Sequence, residues 1–461
     1  MRRYPLVLLF LLFTTVAAAQ IGNPLSCTAS AAVPPMVRAG GLTELTGDIV
    51  LLCTGGVPTP AGNIVPAVNL TVSLNTNITS RLLAGNWTEA LLLIDEPGSG
   101  LPFSPSSQLV CGAPTAPEVS PGVCTITGTG GTDVYSGSPG RPNVFQAVGS
   151  GNSVTFRSLP FDPPGSGIRV LRIVNTRANA LLLGVPNPIP EQVMAYVAVS
   201  GALPIPINNP TQVVGFSMPE VSFSLTPAPP IFQQSVSQNP ELAHSSKANG
   251  TSQFSVRVQE AFATAFKPRT MATYVDADTS PMPASQNAPG TIYNSETGFF
   301  NPSFPTIAHR GNLGRAGLAD FGTRIMVKFS DVPAGVSLYT GAVVNLNSGG
   351  VLRRVDSDSG AFNPSAAGAY GIVPVSVKPS TGQGFAVYEV LAAHPSMLET
   401  ADIPVYVAYV AKGNGKNKLA GTANVSVSLA PVSAVGQASL TGPMPQFGGT
   451  SVPVTAFTIA P

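Results

Sequence analysis

Strict alternation of apolar and polar residues recurs along this chain and limits what it can fold into. The pattern covers Asn69–Leu74, Glu220–Leu225, Phe254–Val258 and Asn424–Leu429. Because successive side chains of a strand point to opposite faces, such alternation places one face on a core and the other in water. It is typical of antiparallel sheets with one solvated face. The sequence therefore predicts strands rather than helices.

The content of Gly and Pro agrees with this prediction. The 461 residues include 47 Gly and 46 Pro, which disfavour helix interiors and mark turns. Two more uniformly apolar runs, Ala90–Ile94 and Pro404–Ala411, are expected to be central strands covered on both faces. We therefore expect an all-β protein with two or more β-sandwich-like domains of antiparallel strands and long loops.

Two segments allow more specific local predictions. The stretch Ser252–Phe266 suits a short helix, but its first half alternates and fits equally a strand that ends near Glu260. The stretch Lys412–Asn417 contains Asn-Gly, which supplies the positive φ angles of a tight hairpin turn. It is predicted to join the runs Val405–Ala411 and Ala423–Leu429 as a β-hairpin.

The first nineteen residues have the order of a secretory signal peptide. Arg2 and Arg3 precede the apolar run Leu6–Phe13, and the small residues of Thr14–Ala19 follow. The apolar run is shorter than the roughly 20 residues that span a bilayer, although an uncleaved N-terminal anchor is the alternative. We expect a secreted, extracellular or cell-surface protein that begins at Gln20 and does not span the membrane after cleavage.

Charge is scarce in this sequence. Only 10% of the residues are charged, against the ~25% usual in soluble domains. Loss of Arg2 and Arg3 with the leader would reduce the 23 basic residues to 21, against 22 acidic ones. Nucleic acid is not expected as a partner, because phosphate binding needs a dense basic stripe. A weakly charged surface also gives little repulsion between copies.

The four cysteines are all in the N-terminal third: Cys27, Cys53, Cys111 and Cys124. Export favours their oxidation to disulfides. Four cysteines allow three pairings, and their order favours the two local ones, Cys27–Cys53 and Cys111–Cys124. The alternative, a four-thiolate zinc site, lacks any C-x-x-C pair.

The mature length exceeds what one hydrophobic core usually organises, so at least two domains are expected. Residues 226–251 are rich in Pro, Ser, Gln and Asn and lack periodicity. After a signal peptide at 1–19, the predicted division is an N-terminal disulfide-containing β-domain at 20–228, a linker at 229–249 and a C-terminal β-domain at 250–461. The irregular stretch Lys267–Phe321 is expected to be functional or interface-forming.

No catalytic, cofactor-binding or metal-binding residues are predicted. The sequence has no G-x-S-x-G nucleophile elbow and no metal-binding spacing among its three histidines, which are His244, His309 and His394. Glu89 lies near the adjacent pair Asp95 and Glu96, but neighbouring side chains of a strand point to opposite faces, which disfavours a glycosidase pair.

Two short acidic stretches resemble parts of a calcium loop. They are Asp276-x-Asp278 and Asp356-x-Asp358-x-Gly360. Neither has the full ligand set of that motif, so polar turns are the favoured interpretation.

Several segments together resemble a group of known sequences. They are Gly41–Pro58, Asn69–Thr79, Glu89–Pro97, Ile168–Ala178, Gly322–Val336 and Val387–Tyr409. They look like uncharacterised secreted β-rich proteins of acidobacterial type. The group has no known activity, so the resemblance implies secretion and β-architecture.

These observations favour a non-enzymatic extracellular structural protein: a self-associating cell-surface, sheath or filament subunit, or an adhesin. Its partners would be copies of itself, in a homopolymer or lattice, or cell-surface components. Residues 20–36 and 451–460 are candidates for strand exchange between copies. The alternative is a secreted carbohydrate-binding or hydrolytic protein, but only 7% of the residues are aromatic and Trp87 is the single tryptophan.

Overall fold

The computed structural model describes residues 23–96, 108–184, 189–239, 253–269, 294–301, 303–413, 419–434, 436–449 and 451–461. The predicted signal peptide lies outside these ranges. The first fourteen strands are β1 (Ser26–Ala31), β2 (Met36–Arg38), β3 (Glu44–Leu45), β4 (Ile49–Gly55), β5 (Ala67–Leu74), β6 (Leu82–Ala84), β7 (Trp87–Ile94), β8 (Val144–Ser150), β9 (Ser153–Pro160), β10 (Gly165–Val174), β11 (Arg177–Ala178), β12 (Glu191–Gly201), β13 (Ile207–Asn208) and β14 (Thr211–Met218).

The other fourteen strands are β15 (Val221–Thr226), β16 (Ile231–Gln233), β17 (Phe254–Glu260), β18 (Thr306–Ile307), β19 (Gly311–Asn312), β20 (Arg324–Ser330), β21 (Ser337–Gly341), β22 (Val343–Asn345), β23 (Val351–Val355), β24 (Ile372–Val375), β25 (Gly384–Ala392), β26 (Thr400–Ala408), β27 (Gly421–Ala430) and β28 (Val454–Ala460). The only helices in the described residues are three short 3-10 turns, Ala180–Leu183, Leu313–Arg315 and Ala369–Gly371. No helix there is long and apolar enough to cross a membrane. The predicted all-β class is confirmed.

Twelve of the first fourteen strands form one curled sheet, and β3 pairs with β11 in a separate two-stranded sheet. The order of the twelve-stranded sheet is β13-β1-β4-β10-β7-β8-β9-β5-β12-β14-β2, with β6 attached to β7. The two ends of this path approach each other, since the main chain of Ala31 in β1 donates to the Gln212 side chain in β14. The first core lies inside the curl and includes Leu51, Val72, Leu92 and Phe156, each no more than 1% exposed.

Twelve of the other fourteen strands form a two-layer sandwich, and β18 pairs with β19 in a separate two-stranded sheet. A five-stranded sheet, β15-β17-β26-β21-β24, packs on a seven-stranded sheet, β16-β28-β27-β20-β25-β23-β22. The second core lies between the layers and includes Val256 and Val405 from one sheet and Val327 and Phe457 from the other. The alternating segments predicted from the sequence therefore form β5, β15, β17 and β27, with their apolar sides on a core.

Strand β7 is covered on both faces, as its apolar sequence predicts. Ala90, Leu92 and Ile94 belong to the first core. Leu91 and Leu93 point the other way, into a third apolar cluster that also contains Phe299, Phe304, Ile307, Leu313 and Ala316. The described part of the long irregular stretch 267–321 therefore covers the outer face of the N-terminal sheet and forms an interface within the molecule.

Two local predictions have different outcomes. The ambiguous segment at 252–266 forms strand β17, which ends at Glu260, and not a helix. The prediction of a β-hairpin at Lys412–Asn417 is wrong, because the strands on either side of it do not pair with each other. Strands β26 and β27 belong to different sheets, so the connection crosses from one layer of the sandwich to the other. Residues 414–418 of this turn lie outside the described residues.

Strand pairing divides the chain earlier than the predicted boundary. Strand β15 pairs with β17, and β16 pairs with β28, so both belong to the C-terminal sandwich. The sheets therefore divide between Met218 and Val221. The described part of the segment predicted as linker, 229–239, contains a paired strand. Prolines flank these short strands, which explains why the composition resembles an exposed linker.

Both terminal segments considered for strand exchange contain strands of the molecule's own sheets. In the N-terminal one, β1 lies between β4 and β13. In the C-terminal one, β28 lies between β16 and β27, and its Ala456, Phe457 and Ile459 are at most 1% exposed. The apolar-polar alternation of 451–460 breaks at Ala456-Phe457, where a bulge lies in the pairing of β27 with β28.

The four cysteines form two disulfides, and the pairs are those that their order favours. Cys27 and Cys53 are direct neighbours across β1 and β4. Cys111 and Cys124 close a loop between β7 and β8. All four are at most 4% exposed.

The second disulfide gives a stability prediction. Its closed loop has a sequence separation of 13 residues. Replacing both cysteines, Cys111→Ala with Cys124→Ala, should lower the free energy of unfolding by about 3 kcal/mol, because the unfolded chain gains freedom. Denaturant unfolding of the oxidised proteins measures this difference. Equal stability, or a non-reduced digest that links Cys53 to Cys111, would contradict it.

Candidate functional site

Three acidic residues in and after β7, which are Glu89, Asp95 and Glu96, each pair with a different buried arginine. Glu89 Oε1 accepts from Arg177 Nε at 2.8 Å, and Glu96 Oε2 accepts from Arg172 Nη1 at 2.9 Å. The third carboxylate, Asp95, pairs with Arg169, whose guanidinium packs on the Tyr135 ring. These carboxylates neutralise arginines and hold loops. The arrangement is not the pair of facing acids that a glycosidase uses.

The acidic stretch at Asp356 is a hydrogen-bonded turn. Asp356 accepts from Asn363 at 2.8 Å and from Ser365 at 2.6 Å. The carbonyl groups of Ser357, Gly360 and Ala361 accept from Arg324. Carbonyls that could have bound a cation therefore bind a guanidinium. The described residues contain no group of three metal-ligating side chains, and Asp276 and Asp278 lie outside them.

The two described histidines make separate contacts. His309 lies 2.6 Å from Glu118, on an exposed part of the surface. His394 Nδ1 accepts from the main chain of Ser396 at 3.2 Å. The His394 Nδ1 also lies 3.3 Å from the Ser396 hydroxyl, but Glu399 accepts from the main chain of His394 and not from its ring, so these contacts do not form a Ser-His-acid triad. His244 lies outside the described residues.

A buried group of four charged side chains and one threonine joins the N-terminal sheet to the C-terminal half. We call it the central charge cluster, and its members are Arg38, Glu44, Lys267, Glu296 and Thr323. Arg38 donates to Glu44 and to Glu296, each at 2.6 Å. It also donates to Thr323 Oγ1 at 2.8 Å, which donates to Glu296 at 2.8 Å. Lys267 Nζ lies 3.9 Å from Glu44. All five are at most 2% exposed.

The electrostatics of the cluster follow from burial and pairing. Burial alone would lower the pKa of Arg38, but Glu296 and Glu44 raise it above its ordinary value. Burial would raise the pKa of Glu44, but Arg38 and Lys267 hold it below its ordinary range. Burial lowers the pKa of Lys267 despite the nearby Glu44. Arg38 and Glu44 therefore stay ionised as a pair.

Local structure positions the first two members, and the remaining ones come from far along the chain. Arg38 ends β2 and Glu44 begins β3, and between them the main chain of Gly41 donates back to that of Arg38 at 2.8 Å. The Phe447 ring lies 4.6 Å below the Arg38 guanidinium. Sequence reasoning missed this cluster because Glu296 is 258 residues from Arg38 and no local pattern connects them.

A second buried pair extends the same connection. Arg177, beyond its bond to Glu89, donates to the main-chain carbonyl of Glu296 at 3.2 Å. The other carboxylate oxygen of Glu89, Oε2, accepts from the main chain of Gly317 at 3.0 Å. Both charges therefore bind the segment that covers β7, so this segment is held by ion pairs as well as by apolar contacts.

Many of the charged side chains in the described residues are buried and not on the surface. Nine basic and nine acidic side chains of the described residues are buried. They are Arg38, Arg81, Arg169, Arg172, Arg177, Lys267, Arg310, Arg324, Arg354, Glu44, Asp48, Glu89, Glu96, Asp162, Glu260, Glu296, Glu389 and Glu399. Since the whole sequence has only 45 charged residues, the surface carries still less charge than the composition suggests.

The end of strand β17, inside the five-stranded sheet, holds a buried carboxylate with a raised pKa. Glu260, at the end of β17, accepts from the main chain of Phe266 at 2.5 Å and of Glu399 at 2.8 Å. Burial raises the pKa of Glu260 to about 7, and the nearby Glu399 adds to this rise, while the main-chain donors oppose it. Glu399 in turn accepts from the main chain of His394 at 2.6 Å. The two carboxylates hold loops at the end of the sheet.

A groove of ≈ 750 Å³ lies where the ends of the curled N-terminal sheet meet, lined by Ala29–Ala32, Pro34 and Asn209–Val213. Its lining contains no charged or imidazole side chain. The Gln212 amide spans it, accepting from Ala31 at 3.0 Å and donating to the Ala29 carbonyl at 3.1 Å. Gln212 thus satisfies the open edge of β1 as a strand would. The groove can contact a neutral chain but holds no acid–base group for catalysis.

Comparisons with known proteins find similarity in structure alone. No family model matches the chain, and no curated protein matches it. Among solved structures, the C-terminal domain of the Streptococcus agalactiae AgI/II polypeptide BspA has a TM-score of 0.28 and 10% identity, over 88% of this chain and 95% of that chain. The C-terminal domain of the Streptococcus pyogenes antigen I/II-family protein AspA has a TM-score of 0.30 and 8% identity, over 95% of this chain and 100% of that one.

A third similar structure is the serine-rich repeat adhesion glycoprotein Srr1 from Streptococcus agalactiae. Its TM-score is 0.21 and its identity 9%, over 93% of this chain and 97% of that chain. These neighbours are domains of surface and adhesion proteins with β-structure. At these TM-scores, none of the similarities carries an argument about function.

The central charge cluster gives a stability prediction with a matched control. Glu296→Gln removes one of the two carboxylates around Arg38 and should lower the free energy of unfolding by about 3–5 kcal/mol, because the buried cations Arg38 and Lys267 are then left with Glu44 as their shared anion. The control, Asp402→Asn, removes the partner of Arg257 from a pair whose side chains are 42% and 46% exposed. It should leave the stability almost unchanged. Denaturant unfolding of both variants measures this, and equal effects would contradict it.

Glu260 gives a pH prediction. Its pKa is about 7 in the folded protein against an ordinary value of 4.5, so the folded state binds the proton more tightly than the unfolded state. Glu260 therefore adds stability as the pH falls from about 7 to about 4.5, and loses it as the pH rises through 7. Glu260→Gln should remove this dependence, whereas the exposed control Glu191→Gln should keep it. Parallel curves of stability against pH for both variants would refute the assignment.

Proposed function

We propose that this protein is an exported, non-enzymatic structural protein that self-associates at the cell surface. The observation that carries the proposal is the burial of eighteen charged side chains in a sequence that has few. A protein that acts alone in solution gains solubility from surface charge. This one places much of its charge inside, where it holds loops, and leaves a largely neutral exterior.

A neutral exterior favours contact with other copies for two physical reasons. Few like charges repel each other as two copies approach. Few charged groups must lose water when the surfaces meet. Some large apolar side chains are also open to solvent, and those exposed by 70% or more are Val57, Ile64, Ile189, Ile231, Val410 and Val452.

The alternative, a carbohydrate-binding or hydrolytic protein, has no specific observation in its favour. The single tryptophan, Trp87, is not an open platform, because the Arg310 guanidinium lies 5.1 Å from this ring and Gly122 packs against its edge. The three acids that the sequence singled out for this alternative, Glu89, Asp95 and Glu96, are already paired with arginines. These contacts support the non-enzymatic proposal.

The proposal is tested by the salt dependence of self-association. The chain from Gln20 is expected to associate in a concentration-dependent manner, measured by analytical ultracentrifugation and electron microscopy. Association should persist between about 0.01 and 1 M salt, over which the Debye length falls from roughly 30 to 3 Å. A monomer at every concentration would refute the proposal. So would a hydrolytic activity that one Asp, Glu or Ser substitution abolishes.

A further inference from the structure

The sheet edges of this molecule are blocked by different devices, with one exception. Among the described strands, the edges of the twelve-stranded sheet are β13 and β2, of two and three residues, with the three-residue β6 attached to β7. The edges of the seven-stranded sheet are β16 and β22, of three residues each, and the strands of the two small sheets, β3 with β11 and β18 with β19, have two residues each. In the five-stranded sheet, one edge is β24, which contains Pro374. Short strands and prolines are the usual protections against strand addition.

The exception is β15, the other edge of the five-stranded sheet. It has six residues, Val221–Thr226, and no proline or charged residue. Six residues are the length of an ordinary strand, so this edge is long enough to pair with another chain. Neither of the protections seen at the other edges is present.

The main chain of β15 offers alternate residues to a further strand. Ala261 donates to the carbonyl of Glu220, so the residues of the same parity, Ser222 and Ser224, bond towards β17. Val221, Phe223 and Leu225 therefore direct their N–H and C=O groups away from the sheet. Within the described part of the chain, no residue bonds to these main-chain groups.

The side chains of β15 fit the same interpretation. Val221, Phe223 and Leu225 pack against the core of the sandwich but stay half-buried, whereas Val256 and Val258 on the adjacent strand are 0% exposed. The difference is the missing neighbour on the outer side. An added strand would cover these apolar residues and complete the main-chain hydrogen bonds together.

We propose that β15 pairs antiparallel with β15 of a second copy, so that the two five-stranded sheets become one continuous sheet across a two-fold axis. This inference rests on the proposed self-association and specifies its contact. The sequence VSFSLT is self-complementary in this arrangement. Phe223 faces its own copy, Val221 faces Leu225, and the two serines face each other, so no charge opposes the pairing.

A charge-swap experiment tests the register. Ser222 and Ser224 are exposed and lie opposite each other across the two-fold axis. The variant Ser222→Lys/Ser224→Lys places lysine opposite lysine twice and should weaken the dimer about tenfold or more. The variant Ser222→Lys/Ser224→Glu places opposite charges in the same positions and should restore the association of the parent.

The control is Thr28→Lys/Ser30→Lys, which adds the same two charges at the same spacing to the exposed side of β1. It should associate as the parent does. Sedimentation velocity over a concentration series gives the dissociation constants, and thermal unfolding verifies that all variants are folded.

The outcomes separate this inference from the proposed function. If the parent associates and the double-lysine variant associates equally well, the β15 contact is wrong, while self-association stands. The contact is also wrong if both charge variants fail to associate alike. If the parent stays monomeric at every concentration, the proposed function fails and the inference with it.

Discussion

The pairing of buried arginines with carboxylates is the interaction on which the rest of this structure depends. Removing a guanidinium from water costs free energy that a buried carboxylate partner offsets, so each buried arginine of such a pair fixes the segment that supplies the partner. Arg38 requires Glu44 and Glu296, which come from opposite halves of the chain. A chain rich in Gly and Pro forms many loops with little regular structure of their own. Here those loops are held by ion pairs that they cannot leave without exposing an unpaired charge to a low dielectric.

The same use of charge determines the character of the surface. An arginine that is buried to hold a loop is absent from the surface and cannot repel another molecule there. Because the chain has few charged residues, burying many of them both orders the loops and leaves the exterior largely neutral. The sheet edges then determine whether such a neutral surface can pair with a strand of another molecule. Gln212 saturates the main chain of β1 in the groove. Pro374 lies within β24 and has no main-chain N–H to donate to a further strand. Strand β15 has neither device, and this contrast within one molecule is more informative than its edge position alone.

Local periodicity predicts local structure, and this limits what the sequence could reveal. The all-β class, the strands at 69–74 and 424–429 and the two-faced burial of β7 all follow from patterns within a few residues. The partner of a strand does not: the Asn-Gly turn near residue 414 predicts a hairpin, yet β26 and β27 lie in different layers. The central charge cluster leaves no local pattern, because Arg38 and Glu296 meet across 258 residues. The sequence also marks Glu89 and Asp95 as candidate acids, because the arginines that pair with them lie far away along the chain.

The termini show why a contact between copies should use a surface that the folded monomer already has. Lending β28 to a neighbour would withdraw Phe457 and Ile459 from the second core, at about 1.5–3 kcal/mol for each large apolar side chain. It would also leave β16 and β27 without their shared neighbour. Exchange of β1 would require the strand to carry its disulfide-bonded partner Cys53. Pairing through β15 breaks no contact within the monomer and adds main-chain hydrogen bonds where none of the described residues supplies them. An edge that is already formed therefore costs less free energy to use than a terminal strand that must first be released.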